Sequence, residues 1–253
     1  MKSMLKSIID MFFPKYCLMC GKPGNSICNY CSKKFIPSLP ECYKCRRLSL
    51  NYKTHSNCFN RYSLDSVFWA WQYNSLSSKF IKTFKYKGAF SMSEEIGSFL
   101  IKRILETNFL NQFKDPLFVP IPLHKKKTKE RGFNQTLLIG RLLSDKLNLP
   151  LESKLLERRI YNKAQATKNA FERRTLSEET FFFNWKYYKE YYNKKEIILL
   201  DDVITTGTTL EMATKSIKRI SSDIKVSALC LFRGKPNYSS DAPSTCLISR
   251  TTF

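Results

Sequence analysis

Two carboxylates followed by hydroxyls and a glycine mark the part of this chain that is best suited to chemistry. Asp201 and Asp202 follow a short apolar run at 196–200, and the sequence continues with Thr205, Thr206, Gly207, Thr208 and Thr209. A glycine-containing turn before a helix lets backbone N–H groups converge on an anion, and the helix N-terminus adds a partial positive charge. The carboxylates can accept hydrogen bonds from sugar hydroxyls and share a divalent cation. The segment therefore predicts a site for a phosphorylated sugar.

Other phosphate-binding loops fit this segment less well. No lysine follows Gly207, which excludes a Walker A loop, and the Gly-x-Gly-x-x-Gly pattern of dinucleotide sites does not occur. Ordinary capping of a helix by threonine or aspartate is the alternative interpretation. The sequence DDVITTGTT at 201–209 is similar to the phosphoribosyl pyrophosphate (PRPP) signature of the type I phosphoribosyltransferases.

Seven of the nine cysteines lie before residue 59, and their spacing predicts metal binding. Thiolates two residues apart place both sulfurs on one metal, and two such pairs complete a tetrahedral zinc site. A fourth cysteine of a second site would fall near Arg61, so His55 is the nearby substitute. We expect about two structural zinc ions, one on Cys17, Cys20, Cys28 and Cys31 and one on Cys42, Cys45, Cys58 and His55. Interleaved pairing of the cysteines and iron–sulfur ligation remain alternatives, whereas disulfides would need an oxidising compartment.

A basic segment follows a second apolar run. The residues at 117–122 end in prolines, and the cations Lys125, Lys126, Lys127, Lys129 and Arg131 come next. If this loop faces the segment at 201–209, its cations can bind pyrophosphate oxygens. A solvated basic loop is the alternative. His124 beside the lysines is a weak candidate for acid–base chemistry.

The elements around these segments alternate between strands and helices from about residue 65. Apolar runs predict strands at 66–73, 117–122, 196–200 and 226–232, the last of which buries Cys230. Helical spacing is found at 77–88, 93–110, 132–148 and after residue 209. This alternation predicts an α/β fold with a parallel sheet and helices on both faces, and ligands then bind at the carboxyl ends of the strands.

Charge and length narrow the class of protein. The formal net charge of +22 predicts a polyanionic partner, with nucleic acid favoured, although codon use in an AT-rich genome also enriches lysine. No apolar run reaches the roughly 18 residues that span a bilayer. Residues 1–13 have the spacing of an amphipathic helix and lack a signal-peptide core, so we expect a cytoplasmic protein.

Four motifs in this order resemble the ComF family, which includes the GntX-type proteins. They are the Cys-x2-Cys pairs, FKYKG at 84–88, VPIPLH…RGFNQ at 119–135 and LLDDVITTGTT at 199–209. The likeness reaches about residue 233. It implies a double zinc ribbon with an N-terminal helix at 1–62, a type I phosphoribosyltransferase-like domain at 63–253, and a part in handling incoming single-stranded DNA during natural transformation.

The resemblance also implies roles for individual residues. Asp201 and Asp202 would bind the ribose hydroxyls of PRPP, 205–209 its 5′-phosphate, and Lys125 and Arg131 its pyrophosphate, with Mg²⁺. Lys85 matches the lysine that the family has after the first strand. The segment at 156–174 resembles a mobile hood that contacts substrate through Arg159, Gln165 and Arg173. Ser177 stands near a usual asparagine, and the tail at 234–253 has no counterpart.

Two function classes follow, and a third is open. The first is a single-stranded DNA handling protein that binds PRPP and Mg²⁺, with the aromatic–basic segments 79–87 and 184–192 as candidate DNA contacts. The alternative is an active phosphoribosyltransferase of nucleotide or small-molecule metabolism, with Asp201, Asp202 and Arg131 as candidate catalytic residues; no acceptor pocket is recognisable. An adaptor for a helicase or another DNA-processing protein is the third. A surface hairpin or edge strand is the alternative for 184–192.

Overall fold

The computed structural model describes residues 16–86, 89–159 and 180–234. Several predictions from the sequence lie outside these residues. They concern the amphipathic segment at 1–13, the helix end at Gly88, the hood residues Gln165 and Arg173, and the tail from 235.

A four-stranded parallel sheet positions the candidate site. The strands of the described residues are β1 (Val67–Gln72), β2 (Pro116–Pro120), β3 (Leu156–Arg158), β4 (Phe181–Phe183), β5 (Glu196–Ile204) and β6 (Lys225–Arg233). The sheet has the order β1-β6-β5-β2 with every neighbouring pair parallel, and β3 and β4 form a separate antiparallel pair. In β5 and β6 the register places Asp201 beside Cys230.

The strands are almost continuously apolar because the sheet is buried on both faces. Nearly every residue of β1, β2 and β6 is buried. The prolines of β2 are tolerated because β2 lies at one edge of the sheet. The Cys-rich segment covers the opposite edge, since Ser38 N–H donates to the carbonyl of Ala70 in β1, and Gln72 N–H donates to that of Ile36.

Helices cover both faces of the sheet. They are α1 (Asn29–Ser32), α2 (Ser75–Tyr86), α3 (Ala89–Thr107), α4 (Lys125–Arg131), α5 (Gln135–Leu147), α6 (Trp185–Tyr188) and α7 (Thr208–Lys218). The buried faces of α2, α3 and α5 pack on one side of the sheet, together with the side chains of Ile27 and Phe35 from the Cys-rich segment. The buried face of α7 packs on the other side with β3 and β4. The predicted α/β fold with a parallel sheet is confirmed.

Three local predictions need correction. Residues 125–131 form helix α4 rather than a loop, because His124 caps it by accepting from Lys126 N–H and Gly132 ends it with a φ of 76°. Residues 184–192 are neither a hairpin nor an edge strand, but the helical turn α6 followed by a 3-10 turn at Lys189–Tyr191. Strand β5 continues to Ile204, so the acidic pair lies within the strand rather than after it. Within the part of the chain that the structure describes, no helix is long and apolar enough to cross a membrane.

Candidate functional site

Two clusters of sulfur and nitrogen ligands lie in the Cys-rich segment. Cys17, Cys20, Cys28 and Cys31 form the first cluster, and Cys42, Cys45, His55 and Cys58 form the second. The ligand atoms of each cluster lie within 4.8 Å of one another. The grouping is therefore sequential rather than interleaved. Each set has the number and kind of ligands that a structural zinc site needs.

The first pairs of both clusters have the same backbone turn. Gly21 N–H donates to the carbonyl of Cys17 at 2.7 Å, and Arg46 N–H donates to that of Cys42 at 2.9 Å. Gly21 has a φ of 76°, which glycine adopts without strain, but Arg46 has a φ of 61°. Arg46 is thus held in the left-handed conformation that glycine adopts at the same position of the first turn.

The electrostatics of the first cluster fit a bound cation. Burial alone would raise the pKa of the Cys17 thiol, but hydrogen bonds from backbone N–H groups, including that of Cys28 at 3.4 Å, outweigh burial and lower it to about 6. The pKa of Cys31 is raised to about 12 by burial and by the neighbouring thiols. Four adjacent thiolates are therefore unfavourable without a positive charge between them, and a Zn²⁺ ion would supply that charge.

His55 is oriented as a ligand. Its Nε2 lies 3.1 Å from the carbonyl oxygen of Leu48, which can only accept, so Nε2 carries the proton. Nδ1 then presents its lone pair towards the Sγ of Cys45, 3.2 Å away. Metal-bound histidines in proteins are commonly fixed through their second nitrogen in this way.

The acidic pair lies at the carboxyl end of the sheet. Lys85 pairs with Asp202 at 2.8 Å, and Asp202 N–H donates to Oδ1 of Asp201 at 2.8 Å. Burial, and then the negative charge of Asp202, raise the pKa of Asp201 from an ordinary 3.8 to about 7. The carboxyl of Asp201 is therefore poised between its two protonation states near neutral pH. A nearby cation would favour the ionised form.

The hydroxyl-rich segment forms an open turn beside this pair. Gly207 has a φ of 89° and is the N-cap of α7, without a side-chain cap. The hydroxyl oxygens of Thr206 and Thr208 are 2.8 Å apart, and both side chains are exposed. Asp201 and the residues 203–210 line a small pocket of about 30 Å³. The hydroxyls of Thr206 and Thr208, which hydrogen-bond to each other, and the N-terminus of α7 thus lie at the same pocket as Asp201.

Four cations share this end of the sheet. Burial lowers the pKa of Lys127, and the positive charges of Arg131, Arg158 and Lys85 lower it further. The guanidinium of Arg131 lies 5.7 Å from the ring centre of Tyr86, the residue that follows Lys85. The Nε atom of Arg158 is buried and has no hydrogen-bond acceptor among the described residues. Such a donor loses free energy unless an additional acceptor is present.

Sequence reasoning named some of these residues and missed others. Asp201, Asp202, Lys85 and the residues 205–209 lie together at the carboxyl end of the sheet, and their role in ligand binding stays a prediction. The exposed ammonium of Lys125 pairs with Glu157 at 3.5 Å. Arg158 was not singled out. Arg158 lies in the segment 156–174 that resembles the hood, which is the one indication the sequence offers. The pairing of β3 with β4 brings Arg158 to the site.

A second surface combines rings with basic side chains. The guanidinium of Arg159 lies 3.7 Å from the ring centre of Phe182, and the ammonium of Lys195 lies 5.1 Å from that of Tyr192. The ring centre of Trp185 lies 6.2 Å from that of Tyr192. Phe182, Trp185 and Tyr192 are all exposed by 40% or more. We call these five residues the aromatic–basic surface.

Three curated proteins are similar to the chain. Competence protein F of Haemophilus influenzae is 27% identical over 216 residues, which cover 83% of this chain and 93% of that protein. Competence protein ComFC of Bacillus subtilis is 34% identical over 64% of this chain and 61% of its own length. Competence protein ComFC of Streptococcus pneumoniae is 31% identical over 62% and 64% respectively. The chain thus spans less than two thirds of the length of either ComFC protein. No family model matches the chain.

Proposed function

The chain belongs to the ComF family of competence proteins, and from this we propose that it acts in competence as a protein that binds PRPP with Mg²⁺. The observation that carries the proposal is the arrangement at the carboxyl end of the sheet. An acidic pair and a hydroxyl-rich turn lie there, Lys85 pairs with Asp202, and the positive charges of Lys85 and Arg158 act on Asp201. A phosphorylated sugar that carries a second anionic group is the class of ligand that can use the carboxylates, the hydroxyl-rich turn and the cations together.

Each part of the site has a distinct task in this proposal. The turn at 205–209 binds the 5′-phosphate through backbone N–H groups and threonine hydroxyls. Asp201 and Asp202 accept hydrogen bonds from the ribose hydroxyls. Arg131 and Arg158 bind the pyrophosphate, and the buried Nε of Arg158 gains the acceptor that it lacks among the described residues. Mg²⁺, when bound, neutralises pyrophosphate charge, and the carboxylates are its natural protein ligands.

Calorimetry of the full chain with PRPP and Mg²⁺ tests this proposal. We expect binding that is lost or weakened at least about tenfold when Asp201→Asn and Asp202→Asn are combined, because charge-assisted hydrogen bonds contribute about 1.5–3 kcal/mol each. Asp145→Asn, on the exposed side of α5, is the matched control and is expected to bind like wild type. No heat with wild type, or equal binding by the double variant, would contradict the proposal.

We also propose that single-stranded DNA binds the aromatic–basic surface. Exposed rings provide faces on which bases stack, at about 1–3 kcal/mol per base, and adjacent cations neutralise phosphates. The net charge of +22 supports a polyanionic partner. Phe182 belongs to the β3–β4 pair and Arg159 follows Arg158 in sequence, so DNA on these two residues would lie near the PRPP site.

Fluorescence anisotropy with an oligothymidylate tests the DNA proposal. Affinity is expected to fall steeply as salt rises, and Trp185→Ala with Phe182→Ala is expected to weaken binding by tenfold or more. Leu105→Ala removes an exposed apolar side chain from α3 and serves as the control. The absence of binding even at low salt would reject the idea. Pyrophosphate release with an acceptor, without DNA binding, would favour a metabolic phosphoribosyltransferase instead.

A further inference from the structure

The second metal cluster lies directly against the anion-binding turn. Cys42 and Cys45 are separated by Tyr43 and Lys44, and both of these side chains reach the start of α7. The ring of Tyr43 is buried against Gly207, where a Cβ would lie 2.8 Å from its Cε2 atom. Its hydroxyl donates to Oε1 of Glu211, in the first turn of α7, at 2.6 Å.

Two more contacts fix this junction. The ammonium of Lys44 pairs with Oε1 of Glu211 at 3.0 Å. Arg46, in its left-handed conformation, donates to the carbonyl of Gly234 at 2.9 Å. Gly234 N–H in turn donates to Ile204, the residue before the threonine turn, at 2.8 Å. The turn at 42–46 therefore contacts Glu211 directly and is connected to Ile204 through Gly234.

The first cluster has no such contacts in the described residues. The residues between Cys17 and Cys20 are Leu18 and Met19, and their apolar side chains pack in the cluster on the opposite face of the sheet. The two turns share one backbone geometry but support different structures. Among the described residues, the turn at 42–46 places polar side chains against α7 and the turn at 17–21 does not.

We propose that metal binding at Cys42, Cys45, His55 and Cys58 is coupled to anion binding at 205–209 through Tyr43 and Lys44, which act as positioning residues. The proposal deepens the proposed function and depends on it for the identity of the ligand. With the metal in place, the turn at 42–46 is rigid and holds Gly207 and Glu211. Without the metal, the support is lost and the N–H groups no longer converge.

Because coupling between two sites is reciprocal, the ligand must strengthen zinc binding by the factor by which zinc strengthens ligand binding. Chelator competition on the full chain measures this factor, with the same Mg²⁺ concentration in both arms and with or without PRPP. We expect one of the two zinc ions to bind about tenfold more tightly with PRPP, and the other to be unchanged.

Variants of the two turns assign the effect. Tyr43→Phe keeps the ring against Gly207 but removes the hydrogen bond to Glu211, and Lys44→Met removes the ion pair. Both are expected to keep two zinc ions while the effect of PRPP on zinc falls to about threefold or less. Leu18→Ala perturbs the equivalent position of the first turn and is expected to keep the full effect. Zinc binding that is insensitive to PRPP, in a wild-type chain that calorimetry shows to bind PRPP, would overturn the coupling.

A measurement without PRPP separates this proposal from the proposed function. Hydrogen exchange of the amides at 205–209 measures how firmly the turn at 42–46 holds this segment. We expect the exchange to become about tenfold faster when chelator removes the zinc. Leu18→Ala, with its zinc bound, is expected to exchange like wild type. If PRPP does not bind but exchange accelerates, the ligand assignment is wrong and the coupling stands. If exchange at 205–209 is unchanged by zinc removal, the coupling is refuted whatever PRPP does.

Discussion

Replacing Asp201 with asparagine is expected to change how the stability of the fold depends on pH. The pKa of Asp201 is raised to about 7 in the folded chain by burial and by the charge of Asp202. In the unfolded chain the carboxyl has its ordinary pKa of about 3.9. The folded state therefore binds the proton more tightly. Its stability falls as pH rises from about 4, and the loss is complete above about pH 7.

The magnitude follows from the size of the shift. Each pKa unit corresponds to about 1.4 kcal/mol, so ionisation of Asp201 lowers the free energy of unfolding by roughly 4 kcal/mol in total. Roughly 2 kcal/mol of this loss develops between pH 5.5 and pH 7. These are upper figures, because Asp201 is half-buried rather than fully enclosed. Asparagine has nearly the same shape and carries no charge. Asp201→Asn is thus expected to be the more stable protein at pH 8.5, by a margin that shrinks by up to about 2 kcal/mol at pH 5.5.

Urea denaturation at the two pH values measures this margin, with zinc in the buffer so that the metal clusters stay filled. Acid weakens zinc binding in both proteins alike, so only the difference between them is interpreted. Asp145→Asn is the control and is expected to follow wild type. Mg²⁺ should stabilise wild type at pH 8.5 more than Asp201→Asn. Parallel pH profiles for wild type and Asp201→Asn would refute the reasoning.

Three further predictions concern the same region. Gly207→Ala is expected to lower the free energy of unfolding by about 1–3 kcal/mol and to weaken PRPP binding by tenfold or more, because the residue has a φ of 89° and its Cβ would clash with Tyr43. Gly132→Ala is the control: its φ is 76° but its Cβ would meet open space, so we expect a loss of about 1 kcal/mol and unchanged binding. Thermal unfolding measures the stability of both variants, and calorimetry measures their PRPP binding. Cys45→Ser is expected to lower the zinc content from about two to about one ion per chain by mass spectrometry, and a content that stays at two would contradict the second site. Arg158→Met is expected to raise the free energy of unfolding by about 1 kcal/mol and to weaken PRPP binding about tenfold, because it removes a buried donor that the proposed ligand would satisfy. Arg141→Met is the control. A loss of stability with unchanged PRPP binding would contradict this role of Arg158.

Much of the α/β unit could be predicted because its signals are local. The four parallel strands are apolar on both faces, and the helices show the 3.6-residue period, so runs of residues were enough to find them. The grouping of the metal ligands also follows from spacing, since two residues between cysteines fit one turn of backbone. The inclusion of His55 followed from Arg61 standing near the place of a further cysteine.

The parts that could not be predicted depend on distant contacts. Residues 156–158 and 181–183 become strands only by pairing with each other across more than 20 residues, and no periodicity in three residues announces that. Arg158 reaches the site through this pairing. The basic residues at 125–131 read as a loop because they lack an apolar face, but the caps at His124 and Gly132 make a short helix.

The edges of the sheet carry a consequence for how the chain can be divided. Residues 36–38 bond to the outer side of β1, and residues 150–152 bond to the outer side of β2, so neither edge is left open. Separating the chain near residue 62, where the family pattern suggests a boundary, would remove residues 36–38 from the edge of β1 and expose a strand of sequence VFWAWQ. Unpaired amides beside aromatic side chains favour strand addition between molecules. We therefore expect the Cys-rich segment, which also carries two sets of potential metal ligands, to prevent self-association through β1, and we expect the two halves to be obtained in a folded form only together.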